Sequence, residues 1–99
     1  MNQKELGHED WSRGRILEAV RERGMSMRKL SEESGRKPAT LYNALRTDEY
    51  VLGEQIIAEF LGVDPSEIWP SRYRRREEIK ARQDEALGRV EAIKVALRA

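Results

Sequence analysis

Cysteine is absent from the 99 residues, which excludes a disulfide scaffold and any thiolate metal site. Histidine occurs once, as His8 in a polar N-terminal arm, with no thiol or structured acid beside it. No run of about 18 apolar residues exists, and Met1 to Asp10 has no apolar stretch of the kind an export signal carries. Alternating β-branched or aromatic runs are too short for strands. Catalysis also lacks its parts: there is no metal-ligand cluster, no glycine-rich phosphate loop and no nucleophile beside a base. These absences lead us to expect a cytoplasmic, single-domain, helical chain that is not an enzyme. We expect no cofactor, no metal and no membrane association, and no small-molecule substrate is evident.

Charge is plentiful but uneven. Charged residues make up 37% of the chain, yet the net charge is only +1. Residues 53–70 hold four acids (Glu54, Glu59, Asp64, Glu67) and no Lys or Arg, whereas residues 71–99 hold nine basic and five acidic groups. A balanced sum does not exclude nucleic acid, because phosphates meet a local face and not the total. It fits non-specific DNA packaging poorly, since packaging proteins are strongly basic.

Three helix starts share one local grammar. Ser12 suits an N-cap, with Trp11 before it placed to pack on Ile16, and that helix should end near Gly24. Ser26 repeats the pattern with Met25 and Leu30, for a helix from about Met27 to Ser34. Asp64 caps a third, with Pro65 in the first turn, Glu67 completing a capping box and Val63 packing on Ile68. Pro38 fits the first turn of a further helix reaching Arg46, Gly53 to Leu61 forms another, and Pro70 reads as a helix stop. The apolar residues Trp11, Ile16, Val20, Leu30, Leu41, Leu45, Ile57, Phe60, Ile68 and Trp69 are expected to close one core.

Beyond Ser71 the chain is rich in helix formers and has no wide apolar face. Ile79, Gln83, Ala86, Val90, Ile93 and Leu97 step by 4, 3, 4, 3 and 4, a short heptad seam. Three arrangements suit it: pairing with a second copy, packing back on its own domain, or a frayed helix. A homodimer through the C-terminal helix is the favoured one.

The segment Met27 to Arg46 is the informative one. It reads as helix, Gly35 turn, helix, with Ser31 as the small residue where the two helices meet and Leu41 and Leu45 as apolar anchors. That is the pattern of a DNA-binding helix-turn-helix, although two helices of an ordinary bundle could share it. Lys37, Ala39, Tyr42, Asn43 and Arg46 would then face outward, with Thr40 to the side. Asn can pair with adenine through two hydrogen bonds, and Arg with guanine or phosphate.

Asp10-Trp11-Ser12-Arg13, the helix-turn-helix from Ser26 to Leu45, Gly53-Glu54-Gln55-Ile56-Ile57-Ala58 and Ile68-Trp69-Pro70-Ser71-Arg72-Tyr73 together resemble the Ner-like (Ner/Nlp) family. These are small phage and bacterial DNA-binding regulators of the lambda-repressor-like helix-turn-helix class. The resemblance covers about Asp10 to Tyr73. It implies an all-α, five-helix domain that binds specific double-stranded DNA and represses transcription in a phage or prophage setting, associated with the nucleoid. By position, it turns Lys37, Ala39, Thr40, Tyr42, Asn43 and Arg46 towards the major groove. The organisation expected is an N-terminal arm at 1–9, a helix-turn-helix domain at 10–73 and an added C-terminal helix at 74–99. The segment Arg46 to Leu52 departs from the family, lacking the Trp-Pro that members often carry there.

Arg28, in the first turn of the second helix, is placed to meet a phosphate beside backbone N–H groups. Arg13 and Arg15, and the block Arg72, Arg74, Arg75 and Arg76, are weaker candidates, because charge runs are usually solvated. The alternative function is a protein-interaction module on the same fold with incidental DNA affinity. The acids at 53–70 and the pair Asp48-Glu49 favour it.

Overall fold

The computed structural model describes residues 9–98, so the N-terminal arm with His8 lies outside the described residues except for Glu9. Every regular element among the described residues is a helix: α1 (Arg13–Glu22), α2 (Met27–Glu33), α3 (Tyr42–Arg46), α4 (Val51–Leu61), α5 (Pro65–Ile68) and α6 (Pro70–Arg98). Five helices form the domain and α6 is the added one.

The expected caps are made. Ser12 Oγ accepts from the Arg15 N–H at 3.1 Å, Ser26 Oγ from Lys29 at 3.0 Å and Asp64 Oδ1 from Ser66 at 2.8 Å. Trp11, Met25 and Val63 pack against the core beside them. The capping box of Glu67 does not form. Asp64 is turned to the N–H and hydroxyl of Ser66, one residue earlier, and Glu67 remains exposed.

Ile16, Val20, Leu30, Leu41, Ile57, Ile68 and Trp69 are buried as expected. Trp11, Leu45 and Phe60 are only half-buried at the rim of the core. Met27, Ala44, Ala58 and Leu61 complete it. Gly53 is buried where α4 crosses α3: a Cβ there would lie 2.5 Å from the Tyr50 ring and 3.1 Å from the Ala44 Cβ.

Helix α3 is shorter than the expected Pro38 to Arg46. Residues 38–41 form turns, with the N–H of Thr40 on the Lys37 carbonyl and those of Tyr42, Asn43 and Ala44 each bonded three residues back. The cause is Ser31, which is wholly buried in α2. Its hydroxyl donates to the Lys37 carbonyl at 2.5 Å and accepts from the Leu41 N–H at 3.3 Å. An α-helix would join those two groups directly. The inserted hydroxyl holds them apart and fixes α2 to the start of α3. Gly35, at φ +82°, makes the corner between them.

Pro70 does not end the helical run. It is the first residue of α6, where its missing N–H costs nothing, and only Trp69 separates it from α5. Asp10, from the start of the domain, caps this helix: its carboxylate accepts from the Ser71 N–H at 2.9 Å and hydroxyl at 2.6 Å. The Trp11 N–H bonds the Ile68 carbonyl at 2.9 Å beside it. From there α6 runs unbroken through residues 73 and 74.

Glu54 anchors α6 to the domain. Its carboxylate is fully buried and accepts from Arg72 at 2.9 Å, from Tyr73 at 2.8 Å and from both terminal nitrogens of Arg76 at 2.8 Å. The same arginines also bond the Ala44 and Asp48 carbonyls, so α6 holds the end of α3 and the loop after it. Burial pushes the Glu54 carboxyl up, but the bonds from Arg76, Tyr73 and Arg72 outweigh it and hold the group below its ordinary value of 4.5. Burial, and then the bond to Glu54, push the Tyr73 hydroxyl up to about 12.

Two outcomes are expected. Glu54→Gln should cost about 3–5 kcal/mol at neutral pH, because two arginines lose their buried counter-charge. The unfolded chain takes up this proton near 4.5 and the folded chain only lower, so the stabilisation is complete above that value and fades as pH falls through the folded pKa. Urea unfolding at several pH values should therefore show the gap between parent and variant narrowing in acid; a constant gap would contradict this. Ser31→Ala should cost about 1–3 kcal/mol by leaving the buried Leu41 N–H without its acceptor, with faster hydrogen exchange at that amide.

Candidate nucleic-acid interface

The outer side of the helix-turn-helix is built from the turn at 36–41 and from α3. Lys37, Ala39 and Arg46 are exposed, and Thr40 and Asn43 are half-buried. Tyr42 is also half-buried, because its ring packs against the core, and the Arg13 guanidinium lies 5.3 Å from the ring centroid. Tyr42 thus divides between core and surface, and it brings Arg13 of α1 to the edge of the same face. Arg46 donates to Asn43 Oδ1 at 2.5 Å, one helical turn away. The Asn43 amide keeps its two N–H donors, and Arg46 keeps further donors on its fork.

Arg28 is exposed at the start of α2, 3.9 Å from the Glu32 carboxylate, a contact too open to restrain it. Arg15 is drawn aside, its guanidinium 3.9 Å from the centroid of the Trp11 ring. Arg36 carries weight that the sequence did not signal. It donates to the Tyr50 hydroxyl at 3.0 Å and the Ser34 carbonyl at 2.6 Å, stiffening the turn from behind.

The acids near this face are largely answered from within the chain. Glu54 is enclosed by Arg72, Arg76 and Tyr73, and Asp48 is bonded to Arg75. Three of the four arginines in the block at 72–76 are therefore paired within the chain, Arg72 and Arg76 with the buried Glu54 and the exposed Arg75 with Asp48, while the exposed Arg74 is left without an acidic partner among the described residues. Their partners lie 18 to 28 residues away in sequence, beyond any local pattern. Glu49 remains exposed. No group of acidic or histidine side chains suited to a metal occurs among the described residues, and no helix among them is long and apolar enough to cross a membrane.

The winged helix-turn-helix DNA-binding family matches residues 10–85. No strand, and hence no β wing, occurs among the described residues. A negative regulator of transcription from Escherichia phage D108 is 41% identical over 70 residues, 71% of this chain and 94% of that protein. One from Escherichia phage Mu is 43% identical over 68 residues, 69% of this chain and 89% of that protein. The Mu-like prophage FluMu DNA-binding protein Ner of Haemophilus influenzae is 33% identical over 76 residues, 74% of this chain and 81% of that protein. With its all-helical fold, its Gly35 turn and these relatives, the chain belongs to the Ner-like family of helix-turn-helix DNA-binding regulators.

Proposed function

We propose that the protein recognises a specific duplex sequence through α3 and the turn before it, and represses transcription by occupying a promoter. One observation carries this: Lys37, Ala39, Thr40, Asn43 and Arg46 are accessible on a turn and helix that Ser31, Gly35 and Arg36 hold in one geometry. Rigid presentation matters, because a base edge is read by hydrogen bonds of fixed direction. Asn43 reads an adenine; engaging it releases Arg46, which then turns to a neighbouring guanine or phosphate. Lys37 and Tyr42 reach base edges, Thr40 and Ala39 shape the contact, and Arg28 fixes register on a phosphate. The neutralised Asp48 and Glu54 favour this over the protein-interaction reading. No catalysis is part of the proposal.

The DNA-reading unit spans 10–73, and the helix from 74 onwards joins two copies, so that two half-sites are bound together at the nucleoid. Half-sites about one helical turn apart, roughly 10 base pairs, are the usual consequence of pairing.

Asn43→Ala should lose about 1–3 kcal/mol on the preferred site and relax the choice at one base. Arg28→Ala should instead weaken binding to all sequences alike and reduce the salt slope by about one unit. Titrations of specific and random duplex at several salt concentrations separate the two effects. An Asn43→Ala variant with the parent's affinity and preference would remove that residue from the interface.

A further inference from the structure

The exposed seam of α6 has basic charges beside it that meet only exposed acids of their own helix, Arg89 bonding Glu85 at 2.7 Å and Lys94 lying 3.9 Å from Glu91, pairs open to solvent and weak. Ile79, Ala86 and Ile93 alternate with Gln83, Val90 and Leu97, and all six are exposed, Val90 at 44% and Ile93 at 56%. In heptad terms one flank holds Lys80, Leu87 and Lys94 and the other Arg82, Arg89 and Ala96, while Asp84, Glu85 and Glu91 lie on the outer face. A parallel pair of such helices sets Arg89 against the other copy's Lys94. An antiparallel pair sets each flank against its own kind. Neither orientation yields an attractive pair across the seam, so α6 does not suit a second α6.

It suits an apolar strip edged by acids, and α4 has one. Leu52, Ile56 and Phe60 succeed each other at one turn per step; Leu52 is 49% exposed, and the other two are half-buried. Gln55, Ile56, Glu59 and Phe60 line a shallow depression of about 450 Å³. With Glu54 enclosed, the exposed charges of residues 53–70 are Glu59, Asp64 and Glu67, all acidic. The helix cannot turn back onto its own α4, because it is unbroken from Pro70 to Arg98 and its base is fixed on Glu54.

We propose that α6 of one copy lies along the α4 face of a second copy, and the reverse, closing a two-fold dimer. The seam residues Val90 and Ile93 cover Ile56 and Phe60, and the basic flanks face Glu59 and its neighbours. This rests on the two-copy reading above and names its contact.

The test uses the full chain without DNA, by sedimentation equilibrium at about 100 mM salt, where a Debye length near 10 Å leaves paired charges effective. Glu59→Lys and the double variant Lys80→Glu/Arg89→Glu should each raise the dimer dissociation constant by about tenfold or more. Mixed in equal amounts, the two variants should dimerise as the parent does, because each basic tail then meets an acidic α4 and each acidic tail a basic one. Pairing of α6 with α6 gives the opposite signs: Glu59→Lys has no effect, and Arg89→Glu strengthens association by attracting Lys94. Either of those results, or a parent that stays monomeric throughout, overturns the proposal. Half-site DNA affinity, measured on the same samples, should be unchanged in both variants. A parent that dimerises as described but binds no duplex would refute the DNA reading and leave this contact standing.

Discussion

The Glu54 carboxylate has no contact with water, and a buried charge in that position is tolerable only if donors surround it. Arg72, Tyr73 and Arg76, all from the first two turns of α6, do so, and Arg72 and Arg76 reach on to the backbone of α3 and the loop behind it. One side chain thus fixes the angle between α4 and α6 and the position of the recognition helix. Asp10 closes the arrangement from the other end of the domain by capping α6. Residues before α1 and in α4 are thus both tied to the first two turns of the long final helix.

A second junction sets the DNA-facing surface. The Ser31 hydroxyl stands between two backbone groups that a helix would bond directly, so the approach to α3 is a turn pinned to α2. Local opening of this segment must break buried hydrogen bonds. That resists the disorder a short helix of five residues would otherwise show.

Much of this was legible in the sequence because it is local. Ser12, Ser26 and Asp64 announce their helices by short-range capping, and Gly35 announces the corner by its backbone freedom. What escaped was long-range. Glu54 read as part of an acidic face because its cations lie 18 and 22 residues away, and the same arginines read as a solvated run. Helix α3 read as longer because Pro38 is a good helix start and nothing local reveals that Ser31 intrudes. The residues that carry the family resemblance most specifically, Gly53 to Ile57 and Ile68 to Tyr73, build the Glu54 cluster and the core beside it. The candidate base-reading residues lie elsewhere, in the less distinctive segment from Lys37 to Arg46. Resemblance therefore speaks to the scaffold more directly than to the sequence it reads.

The proposed function requires a rigid α2–turn–α3 unit that discriminates between DNA sequences. Selection of the full-length protein against a random double-stranded library at about 150 mM salt tests this directly, since non-specific phosphate contacts are weakened there. One defined motif should be enriched, with two half-sites where the paired form binds. Recovery of an unenriched pool would contradict the proposed function.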